Sequence, residues 1–370
     1  MNENVEVHSN HTLIRANKEG DVTFLNSKTN RYINEHFDLL IGADGAYSSV
    51  RESMLQQGRV NFTREYIKHG YKELHIPPRY DKFGEPQYAL PDVHGLHIWP
   101  RKEFMLIALP NADKSFTATL FAPYSGVDGF NSIDVNNDNQ IMDYFKRHFP
   151  DVIEYIPTLV QDFRLNPVGS LVTVRTDPWN VGNILLIGDA AHAVVPFYGQ
   201  GMNAAFEDCL LLYQNVIQCS YDLQEAIKQF QVDRIPAANA LAELCLEHYH
   251  DMAANTTSSA YLLYRRMEEN VLSLVPFGRF RSLYSMVSFS DIPYHIAVKK
   301  AALQDRMLTY FKIGNFSFLT FAMSVAAYQR YGDPLYLQRI LREIMESPVF
   351  QNSIKYLLNY FRGFRSLRGI

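Results

Sequence analysis

The sequence predicts an α/β fold in which a parallel-sheet unit is interrupted by an antiparallel β-sheet insertion and followed by a helical C-terminus. Two short apolar runs, 37–43 and 183–187, each end beside an Asp-Gly or Gly-Asp pair, as buried strands of a parallel sheet do. The stretch between them, 59–174, has strand-like texture. Beyond residue 223 the pattern is helical almost to the end.

Each remaining element follows from local pattern. Residues 5–33 alternate in short runs with turn residues, which indicates antiparallel strands. Within the β-rich stretch, strands are predicted at 97–100, 104–109 and 116–121, with a turn at 110–113. Helices are predicted at 48–56, 139–156 and about 202–218. Side chains alternate along a strand, so Ile107 shares a face with Leu109, and Thr119 shares one with Phe121.

Composition narrows the class of protein. The chain has 370 residues, of which 47% are hydrophobic and 20% charged, so a large core can form. The net charge is −4, whereas a nucleic-acid-binding protein usually carries a strongly basic surface. No nucleic-acid partner is therefore expected. Cys209, Cys219 and Cys245 are spaced neither as a zinc site nor as a redox pair. We expect no metal and three small buried thiols.

The strongest motif is Ile187–Cys209, IGDAAHAVVPFYGQGMNAAFEDC. A buried strand delivers Asp189 at its carboxyl end, where open α/β sheets bind ligands, and this carboxylate can accept hydrogen bonds from a sugar or ribityl chain. Gly199 and Gly201 let the backbone approach a flat ligand. The helix beginning near Met202 directs unpaired N–H groups and its positive end there, which favours an anion such as a reduced flavin. The alternative is an aspartate that only caps a helix.

A second motif, Asp38–Arg51 (DLLIGADGAYSSVR), places Asp44 at a strand end and Gly45 in the following turn. Ser48 and Arg51 stand on the helix that follows. An arginine can bind phosphate, and glycine permits close backbone approach. Taken alone, the pattern also describes a strand, a turn and a helix with aspartate as its N-cap.

In this order and separation, the two motifs resemble the GD and DG motifs of the flavoprotein aromatic hydroxylases. The resemblance implies FAD as cofactor and NADPH as co-substrate, with Asp189 on the ribityl chain and the helix start facing the pyrimidine edge of the flavin. Gln200 and Tyr284 are the expected polar catalytic partners near the reacting ring. The cofactor contacts that the resemblance implies are Asp44, Gly45, Ser48, Arg51, Gly188, Asp189, Pro196, Gly199, Gly201, Met202 and Asn203.

Segments 69–78, 96–111 and 114–123 resemble those members of the family that hydroxylate L-kynurenine with O2. Two positions depart from that pattern: His248 stands where the family has asparagine, and Tyr198 where it has phenylalanine. Each position that the resemblance places beside the substrate could equally belong to an ordinary hydrophobic core, because an aromatic substrate and a core are both surrounded by apolar side chains. The substrate wall that the resemblance implies is Leu96, Ile107, Leu109, Thr119, Phe121, Phe197, Tyr198, His248, Met252 and Tyr284.

No G-x-G-x-x-G occurs in the sequence. The family opens with that fingerprint, in a βαβ unit of at least roughly 30 residues. The chain therefore resembles an N-terminally truncated product, an FAD-binding parallel-sheet domain whose first βαβ unit is missing, and we expect it to bind flavin weakly. Two alternatives stay open: another flavin-dependent aromatic hydroxylase, and an inactive membrane-tethered fragment.

The segment Ile313–Tyr328 contains sixteen residues without a charge, which is marginal for a span that needs roughly 20 apolar residues. A basic amphipathic tail follows it. The pattern fits a membrane anchor with an interfacial helix, or a buried helix followed by a solvated one. The family resemblance favours an anchor in the mitochondrial outer membrane, with the catalytic part facing the cytosol.

These arguments divide the chain into five parts. They are the remainder of the FAD-binding domain at 1–58, the β-rich substrate domain at 59–174, the return of the FAD-binding domain at 175–220, a helical substrate-capping region at 221–304, and the C-terminal anchor region at 305–370.

Overall fold

The computed structural model describes residues 4–254 and 281–306, which belong to two compact units, Met1–Val271 and Leu272–Ile370. The strands of the first unit are β1 (His11–Ala16), β2 (Asp21–Asn26), β3 (Arg31–His36), β4 (Leu40–Gly42), β5 (Asn61–Ile76), β6 (Arg79–Tyr80), β7 (Pro86–Gln87), β8 (His97–Arg101), β9 (Phe104–Pro110), β10 (Phe116–Pro123), β11 (Gly169–Asp177), β12 (Asn180–Val181) and β13 (Ile184–Leu186). Its helices are α1 (Ser49–Leu55), α2 (Asp138–His148), α3 (Leu159–Leu165), α4 (Asp189–His192), α5 (Gly201–Gln218) and α6 (Leu223–Ala254).

The predicted parallel pairing is confirmed. Strand β13 runs parallel to β4, with Leu185 opposite Ile41, and β12 adds an antiparallel edge. Residues 184–186 are fully buried, as a strand covered on both faces should be. In β4, however, Ile41 is 42% exposed, so the predicted burial of this strand holds on one face only.

The β-rich insertion forms a five-stranded antiparallel sheet in the order β11-β5-β10-β9-β8. The long strand β5 pairs with both β10 and β11 and so joins the two halves of the sheet. One face carries the main hydrophobic core, in which Leu106, Ala118 and Leu120 pack against α2 and α3. The opposite face is turned away from that core, because side chains alternate along each strand.

The helix predicted at 139–156 is shorter in the structure. Helix α2 ends at His148, and Phe149 departs from helical backbone geometry. Pro150 explains the stop, because proline disfavours the helical conformation in the residue before it. A 3-10 helix, Ile153–Tyr155, and then α3 follow. The antiparallel strands before residue 37 and the helices at 49–55 and 201–218 are confirmed.

The second unit contributes residues 281–306 to the description. Helix α7 (Leu283–Ser288) begins after Ser282, whose side chain accepts a hydrogen bond from the backbone N–H of Ser285. A further helix runs over 294–306. In the two stretches 4–254 and 281–306, no helix is both long and apolar enough to cross a bilayer, and the predicted anchor Ile313–Tyr328 lies outside them.

Candidate functional site

A cleft of about 610 Å³ opens at the carboxyl ends of β4 and β13, beside the start of α5. Its volume is within the range of pockets for small molecules and cofactor fragments. The sequence predicted a ligand site at this edge of the sheet, where parallel strands end together. The lining residues are Ala43, Gly45, Ile187, Gly188, Asp189, Val194, Pro196, Gly199, Gly201, Met202, Ala205, Phe206 and Cys209.

The wall of the cleft offers acceptors on one side and donors on the other. Asp189 follows Gly188 directly after the buried strand and is exposed to the cleft. Helix α5 makes its first intrahelical bond from the N–H of Ala204 to the carbonyl of Gln200. The N–H groups before Ala204 therefore have no acceptor within the helix and, together with the helix dipole, favour a negative charge. Gly45 and Gly199 have positive φ of 82° and 67°, and a Cβ at either would meet no atom within 4 Å.

Seven predicted cofactor residues line this cleft, whereas two from the second motif perform a different task. The carboxylate of Asp44 accepts hydrogen bonds from the backbone N–H groups of Ser49 and Val50 at 2.7 and 3.1 Å. The hydroxyl of Ser48, which is fully buried, accepts one from the N–H of Arg51 at 2.9 Å. Both residues thus cap helix α1, which is the alternative that the sequence left open. Their contact with a cofactor stays a prediction.

The structure places Arg51 away from the cleft lining. Its side chain is fully buried, and its guanidinium donates to the backbone carbonyls of Ala190 and Ala46, each at 2.7 Å. The group also lies over the ring of Phe62, 4.5 Å from the centroid. Burial lowers the pKa of Arg51 from its ordinary value. Through these contacts Arg51 ties the two motifs together, and its predicted approach to phosphate stays a prediction.

Gln200 and Asn203 lie at the start of α5. Gln200 is largely buried, and its side-chain oxygen accepts a hydrogen bond from the amide of Asn203 at 3.0 Å. Neither side chain lines the cleft. The contact fixes the orientation of the Gln200 amide, because its oxygen is engaged and its NH2 group is directed the other way. Its predicted catalytic role stays a prediction.

Four predicted substrate residues share one face of the antiparallel sheet. Ile107 of β9 lies directly opposite Thr119 of β10, so the two predicted pairs, Ile107 with Leu109 and Thr119 with Phe121, lie on one common face. Leu109 follows on the same face and is 49% exposed, and Phe121 is buried. Leu96 stands just before β8 and is 44% exposed. The face is opposite to the one that carries Leu106 and Ala118, so these residues are not part of the main core.

This face continues into an aromatic cluster that links the sheet to the cleft. Phe121 packs on Phe197 with ring centroids 4.9 Å apart, and Phe197 packs on Tyr249 at 4.5 Å. His69 of β5 completes the cluster at 5.2 Å from Tyr249. Sequence reasoning missed Tyr249 and His69 as site residues, although the aromatic run at 248–250, from which it named His248, was a signal for Tyr249. Burial raises the pKa of Tyr249, whose phenol therefore stays protonated.

The two positions that depart from the family pattern contact each other. The rings of Tyr198 and His248 lie 4.9 Å apart, and Tyr198 is buried. The backbone of Met252 belongs to α6, but its side chain lies outside the described part. Tyr284 belongs to the second unit, where it is 50% exposed and packs edge-on against Phe289.

Only one of the three cysteines is buried, so the prediction of three buried thiols is wrong. Cys209 is exposed because it stands on the outer face of α5, where it lines the cleft. Cys219 is partly exposed at the end of the same helix. Cys245 is buried, and burial raises the pKa of its thiol to about 12.

The cleft suits the isoalloxazine and ribityl portion of FAD. Asp189 offers acceptors for hydroxyls, the start of α5 offers donors for the pyrimidine edge, and no side chain stands at Gly45 or Gly199 to block a flat ring system. A parallel strand pair with a cleft at its carboxyl edge, an inserted antiparallel sheet and long helices after it define the fold of an FAD-binding aromatic hydroxylase.

The comparison with protein families agrees. The model described as "FAD binding domain" matches residues 3–243, well over half of the chain. The chain belongs to this family, in the group that contains the kynurenine 3-monooxygenases.

Kynurenine 3-monooxygenases of several organisms are among the curated relatives. The chain is 40% identical to kynurenine 3-monooxygenase of Flavobacterium psychrophilum over 78% of this chain and 63% of that protein. It is 40% identical to that of Anopheles gambiae over 83% of this chain and 62% of that protein. It is 38% identical to kynurenine 3-monooxygenase of Debaryomyces hansenii over 84% of this chain and 67% of that protein. The chain thus spans roughly three fifths of the length of the first two relatives.

Solved structures show the same fold at lower identity. A tetrameric form of 2-methyl-3-hydroxypyridine-5-carboxylic acid oxygenase is similar with a TM-score of 0.53 and 22% identity, over 70% of this chain and 66% of that one. Klebsiella pneumoniae HpxO, complexed with FAD and uric acid, is similar with a TM-score of 0.50 and 18% identity, over 71% of this chain and 61% of that one.

Proposed function

We propose that the complete protein hydroxylates L-kynurenine to 3-hydroxykynurenine, using FAD, NADPH and O2, and that this chain supplies the flavin cleft and one wall of the substrate site. A single observation carries the proposal: the 3-10 helix Pro196–Tyr198 contributes Pro196 to the cleft and Phe197 to the aromatic cluster. A flat substrate held on that cluster lies next to a flavin held in the cleft. The identity to kynurenine 3-monooxygenases supports the choice of substrate.

The protein residues contribute orientation and electrostatics. FAD, reduced by NADPH, is the group that supplies the oxygen chemistry when it is bound. Asp189 accepts hydrogen bonds from the ribityl hydroxyls and fixes the position of the ring system. The start of α5 stabilises negative charge on the pyrimidine edge. The apolar face at Ile107 and Phe121 orients the substrate ring and excludes water, and the substrate's own aniline amine activates the carbon that is hydroxylated.

The experiment is a flavin spectrum combined with an activity assay. The chain is purified in detergent with added FAD, and NADPH oxidation is followed with and without L-kynurenine, while 3-hydroxykynurenine is detected by mass. At saturating FAD, bound flavin, kynurenine-stimulated oxidation and product are the expected results, and Asp189→Ala should reduce all three at the same FAD concentration. Stimulation by a panel of phenols but not by L-kynurenine would identify another aromatic hydroxylase. Protein without bound flavin would overturn the proposal for this chain.

We also propose that Ile313–Tyr328 anchors the protein in the mitochondrial outer membrane, with the cleft facing the cytosol. Support comes from the uncharged sequence of that segment and the basic residues after it. Deletion of 313–328 should move the protein from the membrane fraction to the supernatant on cell fractionation. An unchanged distribution would contradict the anchor.

A further inference from the structure

A buried ionic cluster lies directly behind the cleft and is centred on Asp208, which has no exposed surface. One carboxylate oxygen, Oδ2, accepts hydrogen bonds from the backbone N–H of Gly188 at 2.9 Å and from Nε2 of His192 at 2.6 Å. The other oxygen, Oδ1, accepts one from Nε of Arg234 at 2.8 Å. Asp208 stands on α5, so a single side chain connects this helix to the turn before α4, to α4 itself and to α6.

A second layer of contacts holds the partners of Asp208 in place. The side chain of Arg234 is almost fully buried, and it also donates to the carbonyl of Ala204 at 3.1 Å and to Glu207 at 2.9 Å. The ring of His192 stacks on Trp179 with centroids 4.8 Å apart. Because a carboxylate can only accept, Nε2 of His192 carries the proton of their hydrogen bond. The carboxylate therefore has one geometry in which all of its donors are satisfied.

The hydrogen bond to Gly188 matters because of where this glycine stands. Its φ is 57°, a conformation that other residues rarely adopt, and a Cβ would come within 3.2 Å of the side chain of Ala205. Its carbonyl accepts from the N–H groups of Ala191 and His192, each at 2.9 Å. Asp208 fixes the N–H of the same residue. Both ends of Gly188 are thus anchored, and the next residue is Asp189, which is exposed in the cleft.

We propose that Asp208 is a positioning residue for the cleft: by holding the peptide N–H of Gly188, it aims the carboxylate of Asp189 at the polyhydroxyl chain of the bound flavin. The inference rests on the proposed function for the identity of the ligand. The placement of Gly188 and Asp189 by Asp208 is a property of the protein alone. This positioning role explains why a fully buried carboxylate stands on the side of α5 that faces Gly188, a residue of the cleft wall.

The first test needs no flavin. In Asp208→Asn one oxygen becomes an NH2 group, so the side chain cannot serve Gly188, His192 and Arg234 together. The exchange of the Gly188 amide with deuterium is measured by NMR under conditions in which the variant and the wild type have the same free energy of unfolding. It should be at least about tenfold faster in the variant, because the hydrogen bond that holds this amide is weakened. Phe145→Leu, a substitution in the separate core of the antiparallel sheet, should lower the melting temperature without this local change.

The second test measures FAD affinity by fluorescence titration in a thermodynamic cycle. Asp208→Asn should raise the Kd for FAD about tenfold in the wild-type background and change it little in the Asp189→Ala background, because both substitutions disrupt the same contact. A merely structural role would give additive effects, and Phe145→Leu should leave the Kd unchanged. If Asp208→Asn does not fold, the paired variant Asp208→Asn/Arg234→Gln removes both buried charges and replaces it in both tests.

The outcomes separate the two proposals. Absence of FAD binding in the wild type would contradict the proposed function, while the exchange of the Gly188 amide would still decide the positioning role. Unchanged Gly188 exchange in the Asp208 variant would overturn the positioning role, even in a protein that binds FAD. Additive effects on the Kd would overturn it as well.

Discussion

The guanidinium of Arg51 donates a hydrogen bond to the backbone carbonyl of Ala190, 2.7 Å away in space and 139 residues later in the chain. A second bond joins it to the carbonyl of Ala46, beside the turn at Gly45. One buried side chain thereby holds together the turn at Gly45 and helix α4, which both border the cleft. The position of one motif relative to the other is consequently held by a buried charged side chain.

This arrangement predicts a large loss of stability in Arg51→Met. Two hydrogen bonds from a charged group are removed, and the buried carbonyl of Ala190 and the partly buried carbonyl of Ala46 lose their donor, so the free energy of unfolding should fall by about 3 kcal/mol. Chemical denaturation followed by circular dichroism measures the change. Arg64→Met is the matched control: Arg64 is exposed and lies over the ring of Tyr47, so its loss should cost less than about 0.5 kcal/mol. Equal effects in the two variants would contradict the role given to Arg51.

Substitution of Asp189 should affect FAD binding, whereas substitution of Asp44 should affect stability. Asp189→Ala should weaken FAD binding by at least about tenfold, or about 1.4 kcal/mol, and leave stability nearly unchanged, because its side chain is exposed in the cleft. Asp44→Ala should cost about 1 kcal/mol of stability, because the carboxylate caps α1. Fluorescence titration and thermal unfolding of both variants make the comparison. The reverse pattern, stability lost at Asp189 and none lost at Asp44, would refute these assignments.

Acid stability should depend on Asp208. Burial alone would raise the pKa of this carboxyl, but the hydrogen bond from His192, the charge of Arg234 and the N–H of Gly188 together hold it below its ordinary value of 3.8. A carboxylate whose pKa is lowered by folding stabilises the protein above the unfolded pKa, and this contribution disappears as the pH falls through the folded pKa.

Below about pH 4, the wild type should therefore lose stability more steeply than Asp208→Asn, whose side chain does not titrate there. The melting temperature as a function of pH measures this. Asp233→Asn, an identical change of charge at an exposed position of α6, should leave the slope as it is in the wild type. If the melting temperatures of the wild type and the Asp208 variant fell equally steeply below about pH 4, the stabilising role given to the Asp208 carboxylate would be contradicted.

Neighbouring positions of β9 should respond in opposite ways. Leu106 is fully buried in the main core, so Leu106→Ala should cost about 2–5 kcal/mol of stability. Ile107 lies on the other face, and Ile107→Trp should raise the KM for L-kynurenine while leaving FAD affinity unchanged. Steady-state kinetics and unfolding curves on the two variants distinguish these effects. An unchanged KM in Ile107→Trp would remove this face from the proposed substrate site.

Local pattern predicted the elements that depend on local chemistry. The helix at 201–218 and the buried strand at 184–186 have strong periodicity or continuous apolar character, and both are found. Helix α2 ends earlier than its apolar pattern predicts, because Pro150 disfavours the helical conformation at Phe149.

Partners that are distant in sequence were beyond local pattern. The spacing around Arg51 predicted a phosphate ligand, but local pattern could not show that its guanidinium also donates to a carbonyl of α4. The anchoring of Gly188 by Asp208 depends on how α5 packs beside the sheet, and Tyr249 enters the aromatic cluster only through the packing of α6 on Phe197. Such contacts are decided by tertiary structure.

The central claim is that the cleft at Asp189 holds the flavin, and differential alkylation tests it most directly. Cys209 lines the cleft, Cys219 is partly exposed at the far end of α5, and Cys245 is buried with its thiol pKa raised to about 12. N-ethylmaleimide modification of each cysteine is followed by mass spectrometry with and without saturating FAD. Slower modification of Cys209 in the presence of FAD, with the rate at Cys219 unchanged, is the predicted result. Equal rates at Cys209 with and without FAD would contradict the assignment of the cleft.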